Sequence, residues 1–250
     1  VINFLWGGQY PPEMFLLQVI WCIGICMIFL SLLIYLKPRL ILFIGILIVC
    51  SHNYFLDFSV NSESIFYIPW AVLYQREVIE VGGFVFRTSY PVLPWVGVIA
   101  IGYSSGIWFS KDKLPSYKKR KMLTYGLGGV LLFLVIRFVN IYGDTAWINT
   151  GNFQTTLMSF LSLSKYPPSF LFNLLMISLG LLIMLFCEKF QDNKLMKILS
   201  QFGSVPMFFY VMHLGVLLLI YKTCYFIYGP NQGEYFSLPK VESLWVTFII

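Results

Sequence analysis

Residues 111–141 read KDKLPSYKKRKMLTYGLGGVLLFLVIRFVNI, a block of cations that gives way at Met122 to an apolar run whose single charge is Arg137. As a helix, 122–141 is long enough to cross the ~30 Å hydrocarbon core of a bilayer. The cations before it are of the kind retained on the cytoplasmic side. Working outward, further runs rich in Leu, Ile, Val and Phe cover about 15–36, 40–56, 91–109, 167–187 and 205–228, and a seventh starts near Trp245. With 58% hydrophobic and 11% charged residues and a mean hydropathy of +0.78, the composition excludes an ordinary soluble domain. The runs lack the two-residue alternation of barrel strands, so the backbone must satisfy itself as helices. The expected fold is all-α: a polytopic transmembrane bundle of about six complete spanning helices plus the start of a seventh.

Charge sorting orients this bundle. Lys37 and Arg39, then the block 110–121, then Lys189, Lys194 and Lys197 lie in alternate connections, and together they hold 11 of the 17 basic residues against three acidic ones. By the positive-inside rule these connections are cytoplasmic, which places 1–14, 57–90, 143–166 and 229–242 on the outward side. The net charge of +6 is thereby explained by topology, and no nucleic-acid partner is expected. The bilayer is the first partner, with a homo-oligomer left open. The basic loop 110–121 is a topogenic loop against anionic head groups, or attracts an anionic cytoplasmic ligand.

Residues 1–250 read as a single transmembrane domain. The sequence starts at Val1 without Met and stops at Ile250 a few residues into an apolar run, the pattern expected of a domain incomplete at both ends. The five cysteines lie in or beside apolar runs and imply no disulfide framework. No His, Cys or carboxylate grouping has metal-ligand spacing, so no metal is expected.

Ionisable groups inside spanning runs are costly and mark candidate sites. Arg137, Asn140 and Asp144, at i, i+3 and i+7, are expected on one face at the outer end of the fourth helix, with Arg137 snorkelling outward or pairing with Asp144. Lys165, Ser169 and Asn173 follow at i, i+4 and i+8 on the next helix. Two polar stripes at one membrane side fit a wet outward cavity, or interhelical hydrogen bonding alone. His52, Asn53 and Asp57 end the second run near the same interface, where imidazole suits proton transfer. His213 lies inside an apolar run with Tyr210 three residues before it; a buried histidine bonded to a neighbouring helix and a proton-handling group are both compatible with that setting. Tyr10-Pro11-Pro12, Tyr90-Pro91 with Pro94-Trp95, and Tyr166-Pro167-Pro168 fall where helices should begin.

The strings Leu17-Gln18-Val19-Ile20-Trp21-Cys22-Ile23-Gly24, His52-Asn53, and Tyr90-Pro91-Val92-Leu93-Pro94-Trp95-Val96-Gly97-Val98 with Gly102-Tyr103 occur in that order. They are followed by Arg137, Asn140-Ile141-Tyr142-Gly143-Asp144 with Trp147, Ser159-Phe160-Leu161, Lys165-Tyr166-Pro167-Pro168-Ser169, and Phe202-Gly203-Ser204-Val205-Pro206 running on to Tyr210 and His213. This series resembles the heparan-alpha-glucosaminide N-acetyltransferase-like family of bacterial membrane proteins. The resemblance implies a transmembrane acyltransferase of the bacterial cytoplasmic (inner) membrane. Such an enzyme moves an acetyl or short acyl group from cytoplasmic acetyl-CoA to a sugar amine or hydroxyl on the outward side. It further implies His52, His213 and Asp144 as catalytic candidates, and Arg137, Asn140, Lys165, Tyr166 and Asn53 as acceptor-binding ones. The family also begins with a helix carrying an Asp and an Arg-Gly motif, and with the histidine usually given the acyl-transfer role; neither is present here, which again fits a fragment. A small-solute transporter and a non-catalytic scaffold are the competing classes; the first would show paired repeats, and none is evident.

Overall fold

The computed structural model describes residues 14–56 and 58–228. The chain divides into two compact units, Leu16–Phe186 and a second built from Val1–Phe15 with Cys187–Ile250. The boundaries fall inside the first strand and the helix Phe170–Lys189. A short strand β1 (Met14–Leu17) leads into α1 (Val19–Leu33), and α2 (Pro38–Ser51) runs on through a 3-10 turn at His52–Phe55. The following connection carries α3 (Tyr67–Tyr74) and the strands β2 (Val78–Val81) and β3 (Phe84–Thr88). Then come α4 (Val92–Ser105), α5 (Pro115–Val139), the short α6 (Phe153–Leu161) and α7 (Phe170–Lys189).

Proline sets several of these starts. Pro38 and Pro115 stand in the first turn of α2 and α5, and Pro91 is the N-cap of α4. Such positions tolerate proline because the N–H it lacks has no intrahelical acceptor.

Among the described residues five helical stretches are long and apolar enough to span a membrane: Pro38–Phe55, Val92–Phe109, Pro115–Val139, Phe170–Lys189 and Pro206–Cys224. The first apolar run is shorter than its sequence suggests. Its leading residues are drawn into β1, which leaves α1 with 15 residues. The seventh run near Trp245, the Tyr10-Pro11-Pro12 start and Asp57 lie outside the described residues.

Helix pairing in the first unit rests on small residues. α2 and α4 run antiparallel with Gly45 against Gly97: a Cβ at Gly45 would sit 2.9 Å from the Gly97 carbonyl oxygen, and one at Gly97 would sit 3.0 Å from that of Gly45. Where lipid tails are as apolar as leucine, such close backbone approach is what favours association. α1 packs on α4 through buried Cys22, Cys26, Val92 and Val96. Most large apolar side chains elsewhere, such as Phe43, Leu131 and Ile183, are exposed in the manner of lipid-facing surface.

The connection after α2 is more structured than a loop. β2 and β3 form an antiparallel hairpin pairing Val78 with Arg87 and Val81 with Phe84, and the sheet order is β1-β3-β2. Gly82 and Gly83 make the turn with φ of +59° and +83°, a conformation L side chains resist. Thr88 Oγ clamps its base, accepting from Glu77 N–H at 2.8 Å and lying 3.0 Å from the Gln75 carbonyl oxygen.

The second unit, where described, holds the amphipathic α8 (Lys194–Ser204) and the long α9 (Pro206–Tyr228). Asn193 caps α8 by accepting from Leu195 N–H at 3.1 Å.

Candidate functional site

α5 does not carry its polar stripe as one continuous helical face. It ends at Val139, and Asn140 takes the left-handed conformation at φ +58° that terminates a helix. Asp144 therefore stands in the connection beyond, not a turn further along the helix. Asn140 donates from Nδ2 to the Trp147 carbonyl at 3.1 Å and accepts Trp147 N–H at 3.0 Å, while Trp147 Nε1 donates to the Arg137 carbonyl at 2.8 Å.

Arg137 neither snorkels nor forms an ion pair with Asp144. Its side chain is buried, and its guanidinium donates to four carbonyls: Thr145 at 2.8 Å, Phe160 at 2.9 Å, and Ser159 and Ser162 at 3.0 Å. The planar fork of five donors suits such a task, tying α5 to both ends of the 145–162 segment. Phe160 lies under the guanidinium at 5.8 Å.

Asp144 is the hub of the next layer. Oδ1 accepts from Thr145 N–H at 2.7 Å and Ser164 Oγ at 2.7 Å, and Oδ2 accepts from Ser164 N–H at 2.9 Å and Ser169 Oγ at 2.5 Å. Partial burial pushes this carboxyl up, but the bonds from Ser169, Ser164 and Thr145 outweigh it and hold the group below the usual carboxylate range. Lys165 sits in the connection ahead of α7, which starts at Phe170, so Lys165, Ser169 and Asn173 do not share one helix as their spacing suggested. Ser169 and Asn173 are buried and Lys165 is exposed.

The end of α2 reaches the same place. Asn53 Oδ1 accepts the Phe170 N–H at 2.7 Å, and Tyr142 donates to the Cys50 carbonyl. Next to Asn53, His52 is 1% exposed, stacked on Tyr74 at 5.7 Å, and neither of its ring nitrogens has a hydrogen-bond partner. An imidazole buried in this way is costly unless something completes it.

Tyr166 closes the group. Its hydroxyl meets that of Tyr90 at 2.9 Å, with the rings edge to face at 5.1 Å. Burial raises its phenol, but the bonds with Tyr90 and Lys165 and the charges of Lys165 and Arg76 prevail and bring it below the ordinary tyrosine value. His52, Asn53, Arg137, Asn140, Asp144, Lys165 and Tyr166 are thus gathered at one end of the first unit. His213 belongs to the second unit, where it is half-buried and its Nδ1 donates to the Phe209 carbonyl of its own helix at 3.0 Å. Sequence spacing passed over Tyr74 and Arg76, at the end of α3 where no motif marks them, and took Tyr90 only as part of the helix start at Pro91.

The opposite end of the same helices is basic and aromatic. Trp108 stacks on Tyr125 at 5.1 Å with planes 3° apart. Lys118 lies over Phe109 at 5.5 Å, and Lys121 over Tyr117 at 5.6 Å and Tyr125 at 5.4 Å. No group of three metal-ligating side chains occurs among the described residues.

No curated protein and no solved structure matches the chain. Residues 2–142, more than half of the sequence, match the family model described as heparan-alpha-glucosaminide N-acetyltransferase, catalytic. With its membrane-length helices and the polar cluster at their ends, the chain belongs to that family of membrane acyltransferases.

Proposed function

We propose that the protein transfers an acetyl or other short acyl group from cytoplasmic acyl-CoA to a sugar amine or hydroxyl on the outward side of a bacterial cytoplasmic membrane. The reading is supported most by His52, a buried imidazole with both nitrogens unpartnered at the end of a spanning helix, within a family of acyltransferases. The positive-inside rule assigns the His52 end to the outward side and the 110–121 end to the cytoplasm.

The residues at the basic end suit the donor. Lys118 and Lys121 offer charge to CoA phosphates, and the stacked Trp108 and Tyr125 offer aromatic faces to its adenine. Acetyl-CoA supplies an acyl thioester, whose C–S bond breaks as the new C–N or C–O bond forms; CoA leaves as the thiolate and takes up the proton released by the acceptor. The chain's own side chains do the rest. His52 takes the proton of the attacking amine or hydroxyl, and Tyr74 fixes the plane of its ring. Tyr166, its hydroxyl already polarised by Tyr90 and Lys165, donates to the oxygen that becomes negative. Lys165, Tyr166 and Asn53 line the acceptor side. Arg137, Asn140 and Asp144 hold the 140–169 segment in the shape those contacts require. Of the two histidines, His52 is assigned the proton because His213 Nδ1 is engaged by its own helix.

The test uses sealed membrane vesicles containing the protein expressed from its native gene, with labelled acetyl-CoA on the cytoplasmic face and a panel of amino sugars inside. Label on an enclosed sugar, lost in His52→Ala, is the expected result. Absence of transfer to the whole panel, together with no protection by CoA against thermal unfolding, would overturn the proposal in favour of a transporter or scaffold.

A further inference from the structure

Two cations flank one phenol at the His52 end of the first unit, and a third stands beside one of them. Arg76 Cζ lies 5.6 Å from the centroid of the Tyr166 ring and Lys165 Nζ lies 5.0 Å from it, on the side chain whose hydroxyl meets Tyr90. Arg87 joins them from β3. It is paired with Val78, two residues along from Arg76, and burial together with the charge of Arg76 makes its guanidinium less basic than usual. Two guanidiniums close enough to repel one another in partly buried positions, Arg76 and Arg87, need a reason.

Neutralisation within the chain does not provide one. Among the described residues the one carboxylate–cation pair within 4.0 Å is Asp112 with Lys113, remote in sequence from this group. Glu77, the acidic residue adjacent to Arg76, accepts from Tyr67 OH at 2.8 Å. Two buried donors here also lack acceptors: Arg76 Nε and Trp95 Nε1, the Trp95 ring lying 6.1 Å from that of Tyr90. Buried donors without acceptors are rare in native proteins, and here they coincide with uncompensated positive charge. The missing partner is an anion rich in acceptor oxygens.

We propose that Arg76, Arg87 and Lys165, with Tyr166 and Trp95, form an anion-binding site that selects acceptors carrying a phosphate or carboxylate group over neutral sugars. Arg76 and Arg87 supply forked donors matched to two oxygens of such a group. Lys165, exposed at the rim, supplies attraction at a distance, and the edge-to-face tyrosines give a sugar ring an aromatic wall. None of the three cations belongs to the Asp144 network, so the site can be removed without dismantling it. The assignment to the acceptor rests on the proposed function; the existence of an anion site does not.

The experiment measures binding to the purified protein in detergent by titration calorimetry. The probes are glucosamine, glucosamine 6-phosphate, glucuronate, free CoA, and vesicles of neutral or anionic phospholipid. One charged site of this kind is expected to favour glucosamine 6-phosphate and glucuronate over glucosamine by about tenfold or more at low salt. Arg76→Gln and Lys165→Gln should each erase most of that preference; Lys165→Gln alters an exposed side chain and reports even if Arg76→Gln fails to fold. Equal affinity for charged and neutral sugars, or an intact preference in Lys165→Gln and any folded Arg76→Gln, overturns the site. Competition by free CoA that is lost in the variants assigns the anion to the donor, and binding to anionic vesicles without sugar preference assigns it to lipid; either overturns selection of the acceptor. Selective sugar binding without any acyl transfer would sink the proposed function and leave the site standing.

Discussion

Replacing Asp144 by Asn is the sharpest test of the polar hub, because the substitution keeps shape and volume and changes only what the two terminal atoms can accept. Each carboxylate oxygen receives one backbone N–H: Thr145 N–H on Oδ1 at 2.7 Å and Ser164 N–H on Oδ2 at 2.9 Å. A hydroxyl can turn to accept from an amide NH2, but a backbone N–H cannot. Asn therefore places its NH2 against a fixed N–H in either flip. One hydrogen bond to a charged acceptor is lost, about 1.5–3 kcal/mol, and the N–H left over, on exposed Thr145 or half-buried Ser164, can turn to water. We expect Asp144→Asn to destabilise the first unit by about 2 kcal/mol. Ser169→Ala, which deletes a donor and strands no N–H, should cost about 1 kcal/mol.

Thermal unfolding followed by tryptophan fluorescence in detergent reads this directly, at roughly 2–4 °C per kcal/mol for a chain of this size. The pH dependence supplies an independent check. The folded-state pKa of Asp144 lies below its ordinary value, so its contribution is complete above about pH 4 and fades as pH falls through the folded value. The gap between wild type and Asp144→Asn should hold from pH 7 to 5 and narrow only in stronger acid. A variant as stable as Ser169→Ala at pH 7, or a gap that widens on acidification, would refute the argument that the charged form organises the connection.

Three further outcomes follow from the geometry. Gly45→Ala drives a Cβ to 2.9 Å from the Gly97 carbonyl oxygen, which cannot swing aside, and should cost about 1–3 kcal/mol in thermal unfolding; Gly102→Ala, in α4 with nothing within 4 Å of a built Cβ, should be neutral or slightly stabilising. Arg137→Lys exchanges a fork that reaches four carbonyls for a point charge and should lose about 2–4 kcal/mol by the same measurement, despite the conserved charge. His52→Ala should lower acyl transfer in vesicles by about 10²–10⁴, whereas His213→Ala should lose less than about tenfold.

The spanning helices were legible because an apolar run of membrane length has few alternatives, and because Pro91 marks a start that physics permits; Pro38 and Pro115 carried the same signal unread. Helical spacing misled where a helix ended early. Arg137, Asn140 and Asp144 fall on one face only if the helix continues, and Asn140 stops it; the polar pattern was real, but its geometry belonged to a capped connection. The hairpin in 57–90 carried a signal that charge sorting overlooked: Gly82-Gly83 sits between Val78–Val81 and Phe84–Thr88, the composition of a tight turn between strands. What no spacing rule reaches is the meeting of Asn53 with Phe170, or of Tyr90 with Tyr166, residues brought together only by the packing of separate helices.

That packing explains why the polar residues concentrate at one end. The sides of a helix in lipid must be apolar, so the ends carry most of the hydrogen-bonding work, and the free backbone groups there must be satisfied by neighbouring segments. Asn53 meets the first N–H of α7, Asp144 collects the N–H groups of the segments around it, and Arg137 gathers carbonyls that no helix would satisfy. This scaffold leaves few donors over. Those that remain among the described residues, on His52, Arg76 and Trp95, stand out against a background that is otherwise closely paired, and they are the atoms we assign to chemistry and to the acceptor. If the assignment is right, substitutions in the satisfied layer will be read first in stability, and substitutions of the unpartnered residues first in binding and transfer. A variant of His52, Arg76 or Lys165 that unfolds the protein while preserving transfer per folded molecule would place these residues in the scaffold instead.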